Sequence, residues 1–182
     1  RLCVYELATG KKNYVSEKFD SSVEGFVWNK DNKSLSFIGV WHGTLNLYQA
    51  NFKGEVKQIT NEWADYGSIS LANNGNKLLA TKASMSHPTD IYIVTPGKDA
   101  KSTKVEQITR ENDHILNQLN LGKCEQRWVK TTDGKQMLVW IMLPSNFDAN
   151  KKYPTLLFCE GGPQSPVSQF WSYRWNIQIM AA

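Results

Sequence analysis

An internal repeat is the feature that most constrains the fold of this chain. Residues 25–37 and 68–80 each contain two short strand-like runs around a turn rich in Asn, Asp or Gly, which is the pattern of a β-hairpin. Each hairpin is followed by a further alternating strand, at 44–48 in one copy and at 90–94 in the other. The two copies therefore share the same order of strands.

Nearly identical phrases close the two copies. They read Val-Lys-Gln-Ile-Thr at 56–60 and Val-Glu-Gln-Ile-Thr at 105–109. The opening residues 2–11 match the stretch 45–54, so that a truncated third copy begins the chain. Four short strands with a period of roughly 40 to 50 residues are typical of a blade of a β-propeller.

Two whole copies are too few to close a propeller, because each blade buries its faces against its neighbours. The sequence therefore predicts the last blades of a propeller, with further blades upstream of Arg1. A small β-sandwich also has short strands at even spacing and is the alternative. The fixed order of the repeated phrases favours the propeller, since sandwich strands have no reason to repeat in order.

The pattern changes near residue 112. We predict that residues 1–112 are propeller blades, that residues 113–182 begin a second domain, and that the polar run 110–122 connects them. In the second part, Asp133-Gly134 between two β-rich runs predicts another hairpin. The fold is thus expected to be mostly β.

A continuously apolar run at 155–159 leads into a glycine phrase, Glu-Gly-Gly-Pro at 160–163. Such a run is expected of a strand covered on both faces inside a mostly parallel sheet. Farther along, Trp175, Ile179 and Ala182 fall on one face of a predicted helix. Hairpin, buried strand, glycine loop and helix in this order predict the first elements of an α/β-hydrolase domain.

The glycine loop has the composition that acyl transfer requires. Negative charge develops on the substrate carbonyl oxygen, and Gly161 and Gly162 let the backbone approach that oxygen closely. In an α/β-hydrolase this passage supplies part of the oxyanion hole, while the G-x-S-x-G nucleophile, the acid and the His follow downstream. None of those three can be placed before Ala182, so no catalytic residue is predicted within this chain.

The repeat, the Asp-Gly hairpin and the phrase at 160–171 together resemble the prolyl oligopeptidase family of serine peptidases, in its dipeptidyl peptidase V and acylaminoacyl peptidase branch. Members of this family join a β-propeller to a C-terminal α/β-hydrolase domain. The resemblance implies hydrolysis of short peptides through an acyl-enzyme, with the Ser-Asp-His triad beyond Ala182 and no cofactor. The 182 residues are then a fragment that is inactive by itself.

Glu160 departs from the family pattern, in which a Tyr or His precedes the glycines. A carboxylate cannot donate a hydrogen bond to an oxyanion, so Glu160 either supports the loop or faces the free amino terminus of a substrate. Trp171, Tyr173 and Arg174 are candidates for lining the substrate cavity. The alternatives are aromatic packing for the first two and a solvated surface position for the arginine.

Two other functions stay open at this point. In the first, the chain is part of a non-enzymatic propeller module that binds a protein or a glycan through its loops. In the second, it belongs to an esterase with a propeller lid. A G-x-S-x-G motif past Ala182 would favour an enzyme over the binding module. The sequence does not separate peptide from ester preference.

Composition excludes several further classes. With 41% hydrophobic and 21% charged residues the chain is globular, and its net charge of +4 is scattered without a basic stripe, which argues against nucleic acid as a partner. No apolar run is long enough to cross a membrane. The resemblance implies an exported or periplasmic location, with the cytoplasm as the alternative, and leaves open a homodimer through the hydrolase domain.

Metal and thiol chemistry are not expected. The cysteines Cys3, Cys124 and Cys159 form no C-x-x-C pair and have no histidine at zinc-finger spacing, so no metal site is predicted. Cys3 and Cys159 lie in apolar runs and are predicted to be small buried side chains. The three histidines, at positions 42, 87 and 114, are predicted to be loop or surface residues.

Overall fold

The computed structural model describes residues 1–73, 75–159, 161 and 165–182. Strands dominate this part of the chain, and two short helices accompany them. The elements in chain order are β1 (Val4–Tyr5), β2 (Lys12–Asn13), β3 (Val23–Trp28), β4 (Ser34–Trp41), β5 (Thr44–Asn51), β6 (Val56–Gln58), β7 (Asp65–Leu71), β8 (Leu78–Ser84), β9 (His87–Thr95), β10 (Lys104–Gln107), α1 (Asp113–Leu116), β11 (Lys123–Lys130), β12 (Gln136–Leu143) and α2 (Ile177–Ala181).

Two four-stranded antiparallel units form the propeller part, and they confirm the repeat. Strands β3 to β6 pair in sequence in the first unit, and β7 to β10 do so in the second. The first strand of each unit shifts register at the same place, between Val23 and Gly25 and between Tyr66 and Ser68. The closing phrases become the outer strands β6 and β10.

A single parallel pairing, between Leu45 of β5 and Asp65 of β7, joins the two blades. The opening residues form an antiparallel pair, β1 with β2, as the truncated third copy predicts. Leu2, Val15 and Phe19 beside this pair belong to the buried core of the first blade. Both predictions, blades and truncated copy, are therefore confirmed.

The closing phrases are alike because their threonine hydroxyl completes the third strand of each blade. Thr60 Oγ1 accepts a hydrogen bond from the backbone N–H of Leu47 at 2.9 Å and donates to Asn46 Oδ1 at 2.9 Å. Asn46 Oδ1 also accepts from the backbone N–H of Glu62 at 3.0 Å. The threonine thus satisfies a buried backbone donor for which the short outer strand offers no carbonyl.

Thr109 repeats this arrangement in the second blade. Its hydroxyl accepts from the backbone N–H of Ile91 at 2.9 Å and donates to the Asp90 carboxylate. The surroundings differ, because the Ile91 side chain is 42% exposed whereas Leu47 is fully buried. Water can therefore reach the second site and not the first.

We expect Thr60→Val to lower the free energy of unfolding by about 1–3 kcal/mol, since it leaves the buried Leu47 N–H without an acceptor. Thr109→Val is expected to cost clearly less, because water can replace the hydroxyl at Ile91. Urea unfolding of the two variants measures the difference, with the exposed Thr155→Val as the control. Equal losses for the two variants would contradict this account.

The second part begins with the predicted hairpin. Strands β11 and β12 pair antiparallel along their whole length, from Lys123 with Leu143 to Lys130 with Gln136. Gly134 in the turn has φ +83°, a left-handed conformation that favours glycine. The Asp-Gly signal is therefore confirmed.

The predicted buried strand at 155–159 is wrong for this structure. No described strand pairs with these residues, and the side chains of Leu156 and Leu157 are 74% and 85% exposed. A strand buried on both faces needs neighbouring strands and covering helices, and none of the described elements supplies them here. An apolar run by itself therefore does not ensure burial, because burial requires neighbouring elements to cover it.

The predicted terminal helix is confirmed in a shorter form. Asn176 is its N-cap, and its side chain accepts from the backbone N–H groups of Gln178 and Ile179. Trp175 therefore lies before the helix, and Ile179 is 75% exposed, so that the predicted apolar face is not buried. Neither described helix is long and apolar enough to cross a bilayer.

Candidate functional site

The glycine loop itself is only partly described. Glu160 and Gly162 lie outside the described residues, and their roles stay predictions. Gly161 is exposed, and a Cβ placed on it would meet no atom within 4 Å. The structure instead shows how the residues just after the loop are fixed to the propeller.

Asp65 anchors the segment that follows the glycine loop. Its Oδ2 accepts from Ser168 Oγ at 2.6 Å, and its Oδ1 accepts from the backbone N–H of Gln169 at 3.1 Å. The same Oδ1 accepts from the backbone N–H of Leu45 at 3.2 Å. Burial raises the pKa of the Asp65 carboxyl, and these hydrogen bonds offset part of that effect by favouring the charged form.

Gln169 extends this anchor to the second hairpin. Its side chain is 2% exposed, its carbonyl oxygen accepts from the backbone N–H of Met85 at 3.4 Å, and its amide lies 3.6 Å from Cys124 Sγ. Met85 belongs to the turn between β8 and β9, and Cys124 belongs to β11. One glutamine therefore joins the last blade, the hairpin and the segment after the loop.

Gln178 of α2 makes an equivalent connection one residue farther along the same turn. Its carbonyl oxygen accepts from the backbone N–H of Gly122 at 2.7 Å, and its amide donates to Ser86 Oγ at 2.9 Å and to the Gly122 carbonyl at 3.2 Å. Residues 85–86 are therefore the common docking point for the second part of the chain.

Aromatic rings form a second contact between the propeller loops and the hairpin. Trp63 and Trp140 pack edge to face with ring centroids 5.3 Å apart, and His42 packs edge to face on Trp128 at 5.2 Å. Gly43 lies beneath Trp140 with φ +66°, and a Cβ at this position would lie 2.7 Å from Trp140 Nε1. His42 is a loop residue as predicted, and it also serves this interface.

We expect Gly43→Ala to destabilise the protein through two effects. The left-handed backbone costs an alanine about 1–2 kcal/mol, and the clash with Trp140 adds about 1–3 kcal/mol. Gly54→Ala is the matched control, because Gly54 has φ +76° and nothing within 4 Å of its added Cβ. Chemical unfolding should show a larger loss of unfolding free energy for Gly43→Ala than for Gly54→Ala. Equal losses would mean that Trp140 of the hairpin does not restrict the space at position 43.

The three predicted cavity residues separate in the structure. Trp171 and Tyr173, with ring centroids 6.0 Å apart, line a cleft of about 340 Å³ between the connector and α2. Arg174 is exposed and lies over the Trp175 ring at 5.5 Å, outside the lining of that cleft. The rest of the lining is largely apolar and includes Ile115, Leu116, Leu119 and Ile179.

A histidine–carboxylate cluster was not predicted from the sequence, and the prediction of a loop or surface position for His87 is wrong because His87 begins β9 and is partly buried. His87 Nε2 lies 3.7 Å from Asp113 Oδ1, and its Nδ1 lies 3.9 Å from Asp90 Oδ2. Among the described residues these three could approach one metal ion. However, Asp90 already accepts hydrogen bonds from side chains of the phrase at 105–109, and Arg110 pairs with Asp113 at 3.1 Å. The cluster therefore attaches the connector to the last blade.

The prediction for the cysteines is wrong. Cys3 and Cys159 are exposed, and Cys124 is half-buried. The apolar runs around Cys3 and Cys159 remain at the surface, because neither cysteine lies in a strand of the two blades. Burial raises the pKa of the Cys124 thiol, which lowers the share of reactive thiolate at neutral pH.

We expect two thiols of the 182-residue protein to react rapidly with Ellman's reagent and one to react slowly. Cys124→Ala should remove the slow phase, whereas Cys3→Ser should remove one equivalent of the rapid phase. Absorbance stopped-flow under native conditions makes the measurement. Three equal rates would contradict the burial of Cys124.

Comparison with known proteins finds relatives of this chain by sequence. No protein-family model matches this chain. The dipeptidyl-peptidase 5 of Porphyromonas gingivalis is 44% identical over 182 residues, which is 100% of this chain and 26% of that protein. The dipeptidyl-peptidase 5 of Porphyromonas endodontalis is 46% identical over 149 residues, covering 81% of this chain and 21% of the relative. The chain spans about a quarter of the length of these relatives.

Among solved structures, the acylaminoacyl peptidase of Pyrococcus horikoshii matches with a TM-score of 0.75 at 21% identity, over 95% of this chain and 25% of that one. The fold is a partial β-propeller followed by a β-hairpin and a short terminal helix. By sequence, the chain is similar to dipeptidyl-peptidase 5 proteins, as the resemblance to the prolyl oligopeptidase family of serine peptidases predicted.

Proposed function

We propose that this chain is a region of a serine peptidase that hydrolyses short peptides through an acyl-enzyme. In this proposal residues 1–112 are the last propeller blades and residues 113–182 open the α/β-hydrolase domain. The observation that carries it is the anchoring of Ser168 and Gln169, just after the glycine loop, on Asp65 at the blade junction. The 44% identity to a dipeptidyl-peptidase 5 along all 182 residues supports the same function.

The glycine loop has a defined task in this proposal. Gly161 and Gly162 allow a backbone N–H to reach the oxyanion of the tetrahedral intermediate, where a preorganised donor lowers the barrier. Glu160 either supports the loop or receives the amino terminus of the peptide. The Ser-Asp-His triad lies outside the 182 residues, so these residues alone are inactive.

We assign peptide binding to the cleft that Trp171 and Tyr173 line. Trp171 and Tyr173 offer apolar surface to a peptide, and Arg174 beside them offers a cation for a peptide carbonyl. We also propose an exported or periplasmic location and a homodimer formed through the hydrolase domain, both on the family resemblance. No cofactor, nucleic acid or membrane takes part in this mechanism.

Active-site labelling tests the proposal. A fluorophosphonate should add one adduct to the full-length protein, visible in its intact mass, and none to the 182-residue chain. Peptide mapping should place the adduct on a serine outside these residues. A folded full-length protein that takes up no adduct would contradict the peptidase and favour the propeller binding module.

Substrate preference separates the peptidase from the esterase alternative. We expect the full-length protein to release a fluorescent amine from dipeptidyl amides with a free amino terminus. Matched N-acetylated amides and a p-nitrophenyl ester are the controls. Preference for the acetylated amide would indicate an acylaminoacyl peptidase, and hydrolysis of the ester alone would indicate an esterase.

A further inference from the structure

We infer that Asp65 is a positioning residue, which fixes the base of the glycine loop to the propeller and thereby sets the geometry of the oxyanion hole. This inference rests on the proposed function. Asp65 touches neither the glycines nor a reacting atom in the described residues, so it acts through Ser168 and Gln169. The propeller then contributes to catalysis by holding this loop in place.

The first step is the geometry of the anchor. Both oxygens of one carboxylate are used for the segment after the loop, Oδ2 by the Ser168 hydroxyl at 2.6 Å and Oδ1 by the Gln169 N–H at 3.1 Å. Gln169 is then locked further by its own buried side chain. Two consecutive residues bound to one rigid group have little freedom to shift.

The second step concerns the other end of the loop. Phe158 precedes the glycines and Phe170 follows them, and their ring centroids lie 6.4 Å apart. The chain that enters the loop therefore packs beside the chain that leaves it. Because Phe170 follows Gln169 directly, a shift of the anchored segment would also move the ring beside which Phe158 lies.

The third step is that only the second of the two blades has an aspartate at this position. The shared register of β3 and β7 places Ser22 at the position in the first blade that corresponds to Asp65. The repeat by itself therefore does not require an aspartate here. Asp65 also receives the Leu45 N–H, so the anchor stands where the two blades join and where the backbone is held from both sides.

The fourth step is chemical. A buried carboxylate carries a desolvation cost, which an amide of the same shape would avoid. A carboxylate has two acceptor oxygens, whereas an asparagine has one and would present an NH₂ group to the other donor. Asp65→Asn should therefore preserve packing and selectively weaken the contact with Ser168 or Gln169.

The experiment uses the full-length protein and compares Asp65→Asn, Ser168→Ala and their double variant. We expect kcat and the rate of fluorophosphonate labelling to fall roughly 10-fold in each single variant with little change in KM, because loop misplacement affects the transition state more than substrate binding. The double variant should be no worse than either single variant. Ser168→Thr, which keeps the hydroxyl, should restore most of the rate.

Thr60→Val is the matched control. Thr60 is 2% exposed, and in the described part of the chain its hydroxyl bonds to Leu47 and Asn46 of the first blade rather than to the segment after the loop. It should lower the thermal midpoint and leave kcat per folded enzyme unchanged. Equal losses of kcat in Asp65→Asn and Thr60→Val would overturn the positioning role. Ser168→Ala keeps the test decisive if Asp65→Asn does not fold.

Hydrogen exchange separates this inference from the proposed function. Amides of residues 158–170 should exchange faster in Asp65→Asn and Ser168→Ala than in the unaltered protein. If the unaltered protein is labelled but the variants keep its rates and its exchange, the positioning role is overturned and the peptidase stands. If the unaltered protein takes no label, the peptidase is overturned, and unchanged exchange in the variants would overturn the anchor as well.

Discussion

One buried carboxylate connects the three parts of this structure. Asp65 accepts a hydrogen bond from the backbone N–H of Leu45 in the first blade, begins the first strand of the second blade, and binds Ser168 and Gln169 of the second part of the chain. The Leu45 N–H is shared between the Asp65 carboxylate and the Ala64 carbonyl, each 3.2 Å away, and the Gln169 N–H donates to the same carboxylate. A side chain with two acceptor oxygens can therefore hold the blade junction and a distant segment of the chain at the same time.

The blades follow the same logic on a smaller scale. Thr60 and Thr109 each give the third strand of a blade the acceptor that its short outer strand does not supply. Between the blades the continuity is apolar, because Ile38 and Leu47 of the first share one buried cluster with Tyr66 of the second. Stacked blades thus bury faces that a single blade would leave exposed.

Polar contacts as well as aromatic ones join the second part of the chain to the propeller. Gln169 and Gln178 are both buried, and both reach the turn at 85–86. Such bonds depend on geometry far more than apolar burial does, so they fix orientation as well as contact. The segment after the glycine phrase is thereby held in a defined orientation against the propeller.

The sequence alone determined the blades, their order and the Asp-Gly hairpin, because these depend on short-range periodicity and on the turn preferences of a few residues. It did not determine the environment of the run 155–159 or of Cys159, since burial depends on which elements cover a segment. The bond between Asp65 and Ser168 spans 103 positions, and that of Gln178 to Ser86 spans 92. Only the tertiary structure brings such residues together, because no local pattern encodes which distant donor meets a given acceptor.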